Sequence, residues 1–368
     1  MKARETKLIL KKLKKMNNFI LLNAVLIVGI SIVTIYSATI SKGGGFYIKE
    51  AIWAGISIVA YFIVTMIDYK KYMKYYKLLY ILNILFLIAL LVIGDSRLGA
   101  KRWISLGPIS IQPSEVAKVL IVLTLSAFIS IQFKEKTIKF KSFLICAGFI
   151  APVLLLILLQ PDLGTTLIIC ATFGVILFMA NLGWGTIIFL ITSVLTCGPL
   201  AYLFVLKDYQ KKRVFTFLNP EADPLNGGWN VRQSIIAIGS GGVNGKGFLG
   251  STQSKLKFLP EAHTDFIMSV YLEERGFIGG IILLSLYALL ILQILYVADN
   301  TEDKFGKLVC YGIAAIFFFH FVINVGMTMG IMPVTGKPFL LMSYGGTSLL
   351  LSFIMLGIVQ SVRIHREN

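Results

Sequence analysis

Apolar residues in this chain come in long runs, not in the three-and-four spacing of a half-buried surface helix. The runs fall at about 19–40, 51–67, 78–94, 114–132, 142–159, 163–181, 185–206, 265–297, 308–331 and 343–362. A helix needs roughly 20 residues to cross a hydrocarbon core of about 30 Å. The pattern therefore predicts an all-α polytopic membrane protein of ten spans in one transmembrane domain over 1–368. An even number of spans puts both ends on one side. Most connections are short; segment 207–264 is the exception. The first run follows a basic head, Lys2 to Lys15, as the apolar part of a signal peptide would. It is longer than such a part usually is, and no small-residue cleavage site follows, so it reads as an uncleaved first span.

Composition agrees. Of 368 residues, 57% are hydrophobic and 14% charged, whereas a soluble domain carries about 25% charged residues. That excludes an ordinary soluble globule and a disordered chain. The four cysteines, Cys146, Cys170, Cys197 and Cys310, each lie inside an apolar run without CxxC spacing. Neither a zinc site nor a disulfide framework is indicated.

The net charge is +17, from 35 basic and 18 acidic residues. On a soluble protein that would suggest nucleic acid. Here the basic residues crowd the head, the turns 68–77 and 133–141, and the C-terminal end, all on one side of the predicted bundle. The short loops opposite are poor in them. The positive-inside rule then places both termini in the cytoplasm. The long loop 207–264 is also basic, but long translocated segments do not set orientation. No nucleic acid is needed to explain the charge. Tyrosines 69, 72, 75, 76 and 80 cluster with lysines at one predicted edge, as interfacial anchors do.

Polar residues stand out at a few places on the predicted outer edge. Pro113 suits a helix's first turn, and Glu115 and Lys118, three apart, share a helical face. A charge at that depth is costly unless partnered. The pair either fixes helix packing or lines a polar cavity. Gln160-Pro161-Asp162 joins spans five and six, and Asp162 is a natural N-cap. His263-Thr264-Asp265 opens span eight, where Asp265 is either another cap or a carboxylate at the rim. A continuous helix from Asp265 to Ala298 would run about 50 Å, so a break is expected near Gly276. In the long loop, Gly239-Ser240-Gly241-Gly242 and Gly245-Lys246-Gly247 permit a tight turn or backbone N–H groups presented to an anion.

The sequence Gly99-Ala-Lys-Arg-Trp103, Leu106-Gly-Pro and Gln112-Pro-Ser-Glu-Val-Ala-Lys118 resembles the SEDS family (shape, elongation, division and sporulation). So do Gln160-Pro-Asp-Leu-Gly-Thr165, Asn324-Val-Gly-Met-Thr-Met-Gly-Ile-Met-Pro-Val-Thr-Gly336 and Ser343-Tyr-Gly-Gly-Thr-Ser348. The likeness runs from the first span to the last. Segments 233–242 and 250–266 are most like the elongation branch. One departure is Lys337, where the family pattern leads us to expect an apolar residue.

The resemblance implies a peptidoglycan glycosyltransferase that polymerises lipid II at the outer face of the bacterial cytoplasmic membrane. It implies as partners a class B penicillin-binding protein and other membrane proteins of the elongation complex. The family's essential aspartate matches Asp265, its tryptophan Trp103, and its paired acid and lysine Glu115 and Lys118. On this reading Asp265 is the general base for the acceptor hydroxyl. Lys118, Arg102, Arg213, Arg232 and Lys246 are candidates to neutralise the departing pyrophosphate, and a divalent cation, Mg2+ or Mn2+, could share that task. No dedicated metal cluster is evident. Trp103 offers a flat face to a sugar or isoprenoid. Asp162, His263, Thr264 and Ser343 join the substrate-contacting candidates. A lipid II flippase, a division or sporulation polymerase, and a membrane scaffold remain as other readings.

Overall fold

The computed structural model describes residues 16–43, 45–97, 100–106, 109–133, 137–204, 211, 215–219 and 227–366. All ten predicted runs are helical. They are α1 (Asn18–Thr39), α2 (Phe46–Met66), α3 (Tyr76–Ile93), α4 (Pro113–Gln132), α5 (Phe140–Leu159), α6 (Leu163–Met179) and α7 (Trp184–Phe204). After α8 (Gly227–Gly241), inside the long loop, come α9 (Ile267–Asp299), α10 (Lys304–Thr328) and α11 (Gly346–His365). Among the described residues, eight helices are long and apolar enough to cross a membrane. The shorter apolar stretches Leu163–Met179 and Trp184–Thr196 coincide with the sixth and seventh runs.

Local chemistry sets several starts. Asn17 caps α1 by accepting from the Phe19 N–H at 3.2 Å. Pro113 opens α4, where its missing N–H leaves nothing unsatisfied. Asp162 caps α6 through the Thr165 N–H at 3.2 Å. Asp303 caps α10 through the Gly306 N–H at 2.8 Å.

Helix α10 runs through the middle, packed on α4, α6, α9 and α11. Gly312 makes that approach possible: a Cβ there would lie 2.6 Å from Val122 Cγ1 and 3.0 Å from Ile176 Cδ1. Helices α2 and α11 form another close pair, where a Cβ on Gly357 would sit 2.9 Å from the Tyr61 carbonyl oxygen. Helices α4, α10 and α11 are mostly buried, while α3 and α5 turn most of their apolar surface outward. Exposed Val92, Ile93, Leu155, Leu159, Ile188 and Leu195 form a surface too apolar for water and suited to lipid.

Two elements carry no signal in the run pattern. Segment 95–111 holds a small antiparallel sheet, β1 (Asp95–Arg97), β2 (Ala100–Leu106) and β3 (Ile109–Ile111), in that order. Its register sets Asp95 opposite Trp103 and Ile104 opposite Ile111. The other is α8. It packs on α9 beside the break predicted there: Gly276 has φ +62° and ψ −162°. The first turns of α9 are thereby re-aimed from the spanning part.

Candidate functional site

The polar residues singled out in the sequence lie at the end of the bundle that carries the long loop. Glu115 and Lys118 pair at 2.8 Å and are both buried. Lys118 also donates to Nε2 of His320 on α10. His320 Nδ1 is 2.9 Å from the Pro338 carbonyl, which can only accept, so the ring proton sits on Nδ1 and leaves Nε2 as the acceptor for Lys118.

A second lysine completes the cluster. Lys337 Nζ lies 2.9 Å from Oδ1 and 3.0 Å from Oδ2 of Asp162. It also donates to Thr165 Oγ1 and stands 3.9 Å from Glu115 Oε1. Asp162 further accepts from Gln112 Nε2 at 3.2 Å, Ser114 Oγ at 3.0 Å and Thr165 Oγ1 at 2.8 Å. Two carboxylates thus meet two ammonium groups in a buried, neutral network. Ion pairs taken out of water persist only with such close geometry and extra hydrogen bonds.

Asp265 sits just before α9, half-buried, and the residue at the cap position is Phe266. Asn324 on α10 clamps Asp265: Asn324 Nδ2 donates to the Asp265 carbonyl at 3.0 Å and to the Lys337 carbonyl at 2.9 Å. Gly336, at φ +66°, lets the strap 333–345 run close under the carboxylate; a Cβ there would be 3.3 Å from Asp265 Oδ2. In that strap Gly336 faces Asp265, Lys337 reaches Asp162, and Pro338 holds His320. Three consecutive residues thereby tie Asp265 to the buried charges.

The other candidates are placed as follows. His263 is buried, its ring packed on Phe46 and Tyr344 with centroids 5.1 Å and 5.6 Å away, and its carbonyl accepts from the Tyr344 N–H at 2.9 Å. Thr264 Oγ1 donates to Glu261 at 3.0 Å. Ser343 is buried and its Oγ accepts from the Phe339 N–H at 2.9 Å, which folds the strap. Trp103 lies on β2, half-buried, and its indole makes no hydrogen bond or ring contact among the described residues. Arg102 lies beside it on the same strand. Arg213 lies outside the described residues. Arg232 is exposed on α8 and forms no ion pair among the described residues.

Lys246 already has a partner, Glu273 at 2.6 Å. The glycine-rich run around it is a turn docked on α9, with its amides engaged. The Lys246 and Gly247 N–H groups donate to the Glu273 and Glu274 carbonyls, each at 3.0 Å. Those two amides are spent on α9 itself.

Sequence reading missed His320 and did not give Lys337 a role. His320 sits in the apolar run 308–331, directly after Phe317, Phe318 and Phe319 and one turn before Asn324. The signal for Lys337 was a charge where the family pattern is apolar. A divalent cation would seek carboxylate oxygens here. Lys337 Nζ already stands between Glu115 and Asp162, so that pair does not fit a metal. Among the described residues, no three His, Cys, Asp or Glu side chains gather to hold one.

Ten apolar helices around a buried acid–lysine network, with an aspartate clamped through its backbone at the loop end, define a polytopic membrane protein with a polar site at one end of its bundle. The chain belongs to the FtsW/RodA/SpoVE family of cell cycle proteins, whose sequence profile matches residues 14–368. It is 41% identical over 281 residues to the peptidoglycan glycosyltransferase MrdB of Escherichia coli K12, covering 76% of this chain and 75% of that protein. It is 34% identical to the peptidoglycan glycosyltransferase RodA of Treponema pallidum, over 93% of this chain and 96% of that one. Among solved structures, a chain from work on the coordination of polymerization and crosslinking by a peptidoglycan synthase complex superposes with a TM-score of 0.84. That match has 29% identity and covers 96% of this chain and 99% of the other. The rod shape determining protein RodA of Thermus thermophilus superposes with a TM-score of 0.72 at 26% identity, over 96% of this chain and 98% of that one.

Proposed function

We propose that this chain polymerises lipid II, a disaccharide-pentapeptide on undecaprenyl pyrophosphate, at the outer face of the cytoplasmic membrane, with Asp265 as general base. The chain is a peptidoglycan glycosyltransferase, as its relatives are named. The observation that carries the role of Asp265 is its placement: Asn324 holds its backbone carbonyl and Gly336 passes close under its carboxylate, just before α9. A base must be fixed in place yet within reach of the acceptor.

In the step proposed, Asp265 takes the proton of the acceptor 4-hydroxyl as its oxygen attacks the donor's anomeric carbon. The bond from that carbon to pyrophosphate breaks, and an α-linked donor becomes a β-linked product. A positioned base contributes about 10²–10⁴-fold. Pyrophosphate leaves once its charge is met. Arg232 is exposed and has no ion-pair partner among the described residues, as is true of Lys255 and Lys257, and it is our choice for that task over Lys246. Lys118 is held by Glu115 and His320, so its part is to fix the floor of the site. Trp103, whose indole has no hydrogen bond or ring contact among the described residues, offers its face to a sugar or isoprenoid. The partner of this reading is a class B penicillin-binding protein that cross-links the emerging strand.

The test is gel analysis of glycan strands made from labelled lipid II by the purified chain with its partner. Asp265→Ala should lose polymer by at least about a hundredfold while eluting as a folded monodisperse protein. Undiminished polymer from that variant would remove Asp265 as the base. Lipid translocation without polymer from the unaltered chain would favour a flippase.

A further inference from the structure

Lys337 sits in an unusual setting for a lysine. It is 3% exposed, and its stem fills the space beside Gly164, where a Cβ would lie 2.6 Å from Lys337 Cε and 2.9 Å from Cγ. Its ammonium is close to both carboxylate oxygens of Asp162, Thr165 Oγ1 and, at 3.9 Å, Glu115 Oε1, while Lys118 pairs with the other oxygen of Glu115. Glu115 Oε1 accepts no hydrogen bond among the described residues; beyond Lys118 on the other oxygen, the Lys337 ammonium is the cation that oxygen meets. Two carboxylates and a hydroxyl, all oxygen and all buried, are the donor types that hard divalent cations take. Here the positive charge among them is covalently attached to the chain.

We propose that Lys337 is a resident counter-ion standing where a divalent cation would otherwise bridge Glu115 and Asp162. The chain then needs no metal at this pair to keep both carboxylates ionised in a buried place. The lysine also couples that charge to the strap, since its own carbonyl shares Asn324 with Asp265. A metal would neutralise the acids but would not tie them to the Asp265 clamp.

Mn2+ binding by the full chain without substrate tests this independently of polymerisation. The readout is loss of the free-ion paramagnetic resonance signal on titrating Mn2+ into purified protein. The unaltered chain and Asp162→Asn should bind Mn2+ alike, because no ion site exists there to lose. Lys337→Met should gain a site at least ~10-fold tighter than any in the unaltered chain, and adding Asp162→Asn should abolish it. Lys337→Gln, which keeps a polar end, serves if the methionine variant does not fold, and Lys337→Arg should gain nothing. An Asp162-dependent Mn2+ site in the unaltered chain would overturn the proposal. So would folded Lys337→Met or Lys337→Gln protein that binds no more Mn2+ than the unaltered chain. If neither variant folds, the comparison of the unaltered chain with Asp162→Asn still decides.

Discussion

Lys118 shows how one residue can have its role set by what surrounds it. Its ammonium donates to Glu115 Oε2 at 2.8 Å and to His320 Nε2, with almost no surface left for water. Removing one partner of such a group leaves the other charged and buried, at a cost of about 3–5 kcal/mol. Lys118→Met should therefore lower the unfolding temperature in detergent well below that of the unaltered chain. Glu115 would then keep only Lys337 at 3.9 Å. Adding Glu115→Gln removes the stranded charge, so the double variant should unfold at a higher temperature than Lys118→Met. A double variant no more stable than the single would show that the pair does not act as a unit. Asp162 combines two roles that sequence spacing treats as alternatives. Its side chain caps α6 and also anchors Lys337, because a carboxylate has lone pairs enough for both.

At the scale of elements, the break in α9 is held by side chains and backbone together. Glu273 accepts from Lys246 Nζ at 2.6 Å, Ser251 Oγ at 2.7 Å, Thr252 N at 3.0 Å and Thr252 Oγ1 at 2.8 Å. Gly245, at φ +78°, lies so close that a Cβ would be 2.1 Å from the Glu274 carbonyl oxygen. Hydrogen bonds to a charged group contribute about 1.5–3 kcal/mol each. Glu273→Gln should free segment 245–255 without unfolding the bundle, seen as trypsin cleavage after exposed Lys246 and Lys255 at least tenfold faster, the equivalent of about 1.4 kcal/mol. Gly245→Ala should do the same more severely, because the clash is with backbone. Unchanged cleavage in both would mean that the turn is held elsewhere.

Much of this layer was legible in the sequence because its causes are local. Run length gave the helices, Pro113 and Asp162 their starts, and the excess length after Asp265 the break at Gly276. The sheet at 95–111 was not legible: two of its strands have three residues, and Ala100–Leu106 does not alternate apolar with polar. Helix α8 was hidden among glycines and charges. The contact of Lys337 with Asp162 spans 175 positions, and no local pattern encodes such a meeting.

For the whole molecule the decisive question is which way the bundle faces, and α9 offers the means to ask it. From Gly276 to its end at Asp299 it rises about 35 Å, enough to cross a core of about 30 Å. Asn244 lies in the turn at one end: its neighbours Gly242 and Val243 accept from the Phe277 and Ile278 N–H groups at 2.9 Å and 3.2 Å. Asn300 closes the other end, where its carbonyl accepts from Arg366 Nη1 at 2.8 Å. Both asparagines are exposed. Lys304, Lys307, Arg363 and Arg366 gather near Asn300, the side that the positive-inside rule keeps in the cytoplasm. In a background without Cys146, Cys170, Cys197 and Cys310, Asn244→Cys should react with a membrane-impermeant maleimide in intact spheroplasts. Asn300→Cys should react only after the membrane is opened. The reverse pattern would put Asp265 and the buried acid–lysine network toward the cytoplasm, out of reach of a substrate presented outside, and polymerisation at the outer face would have to be abandoned. Labelling as expected would place Asp265 on the outer side, as the proposed polymerisation requires.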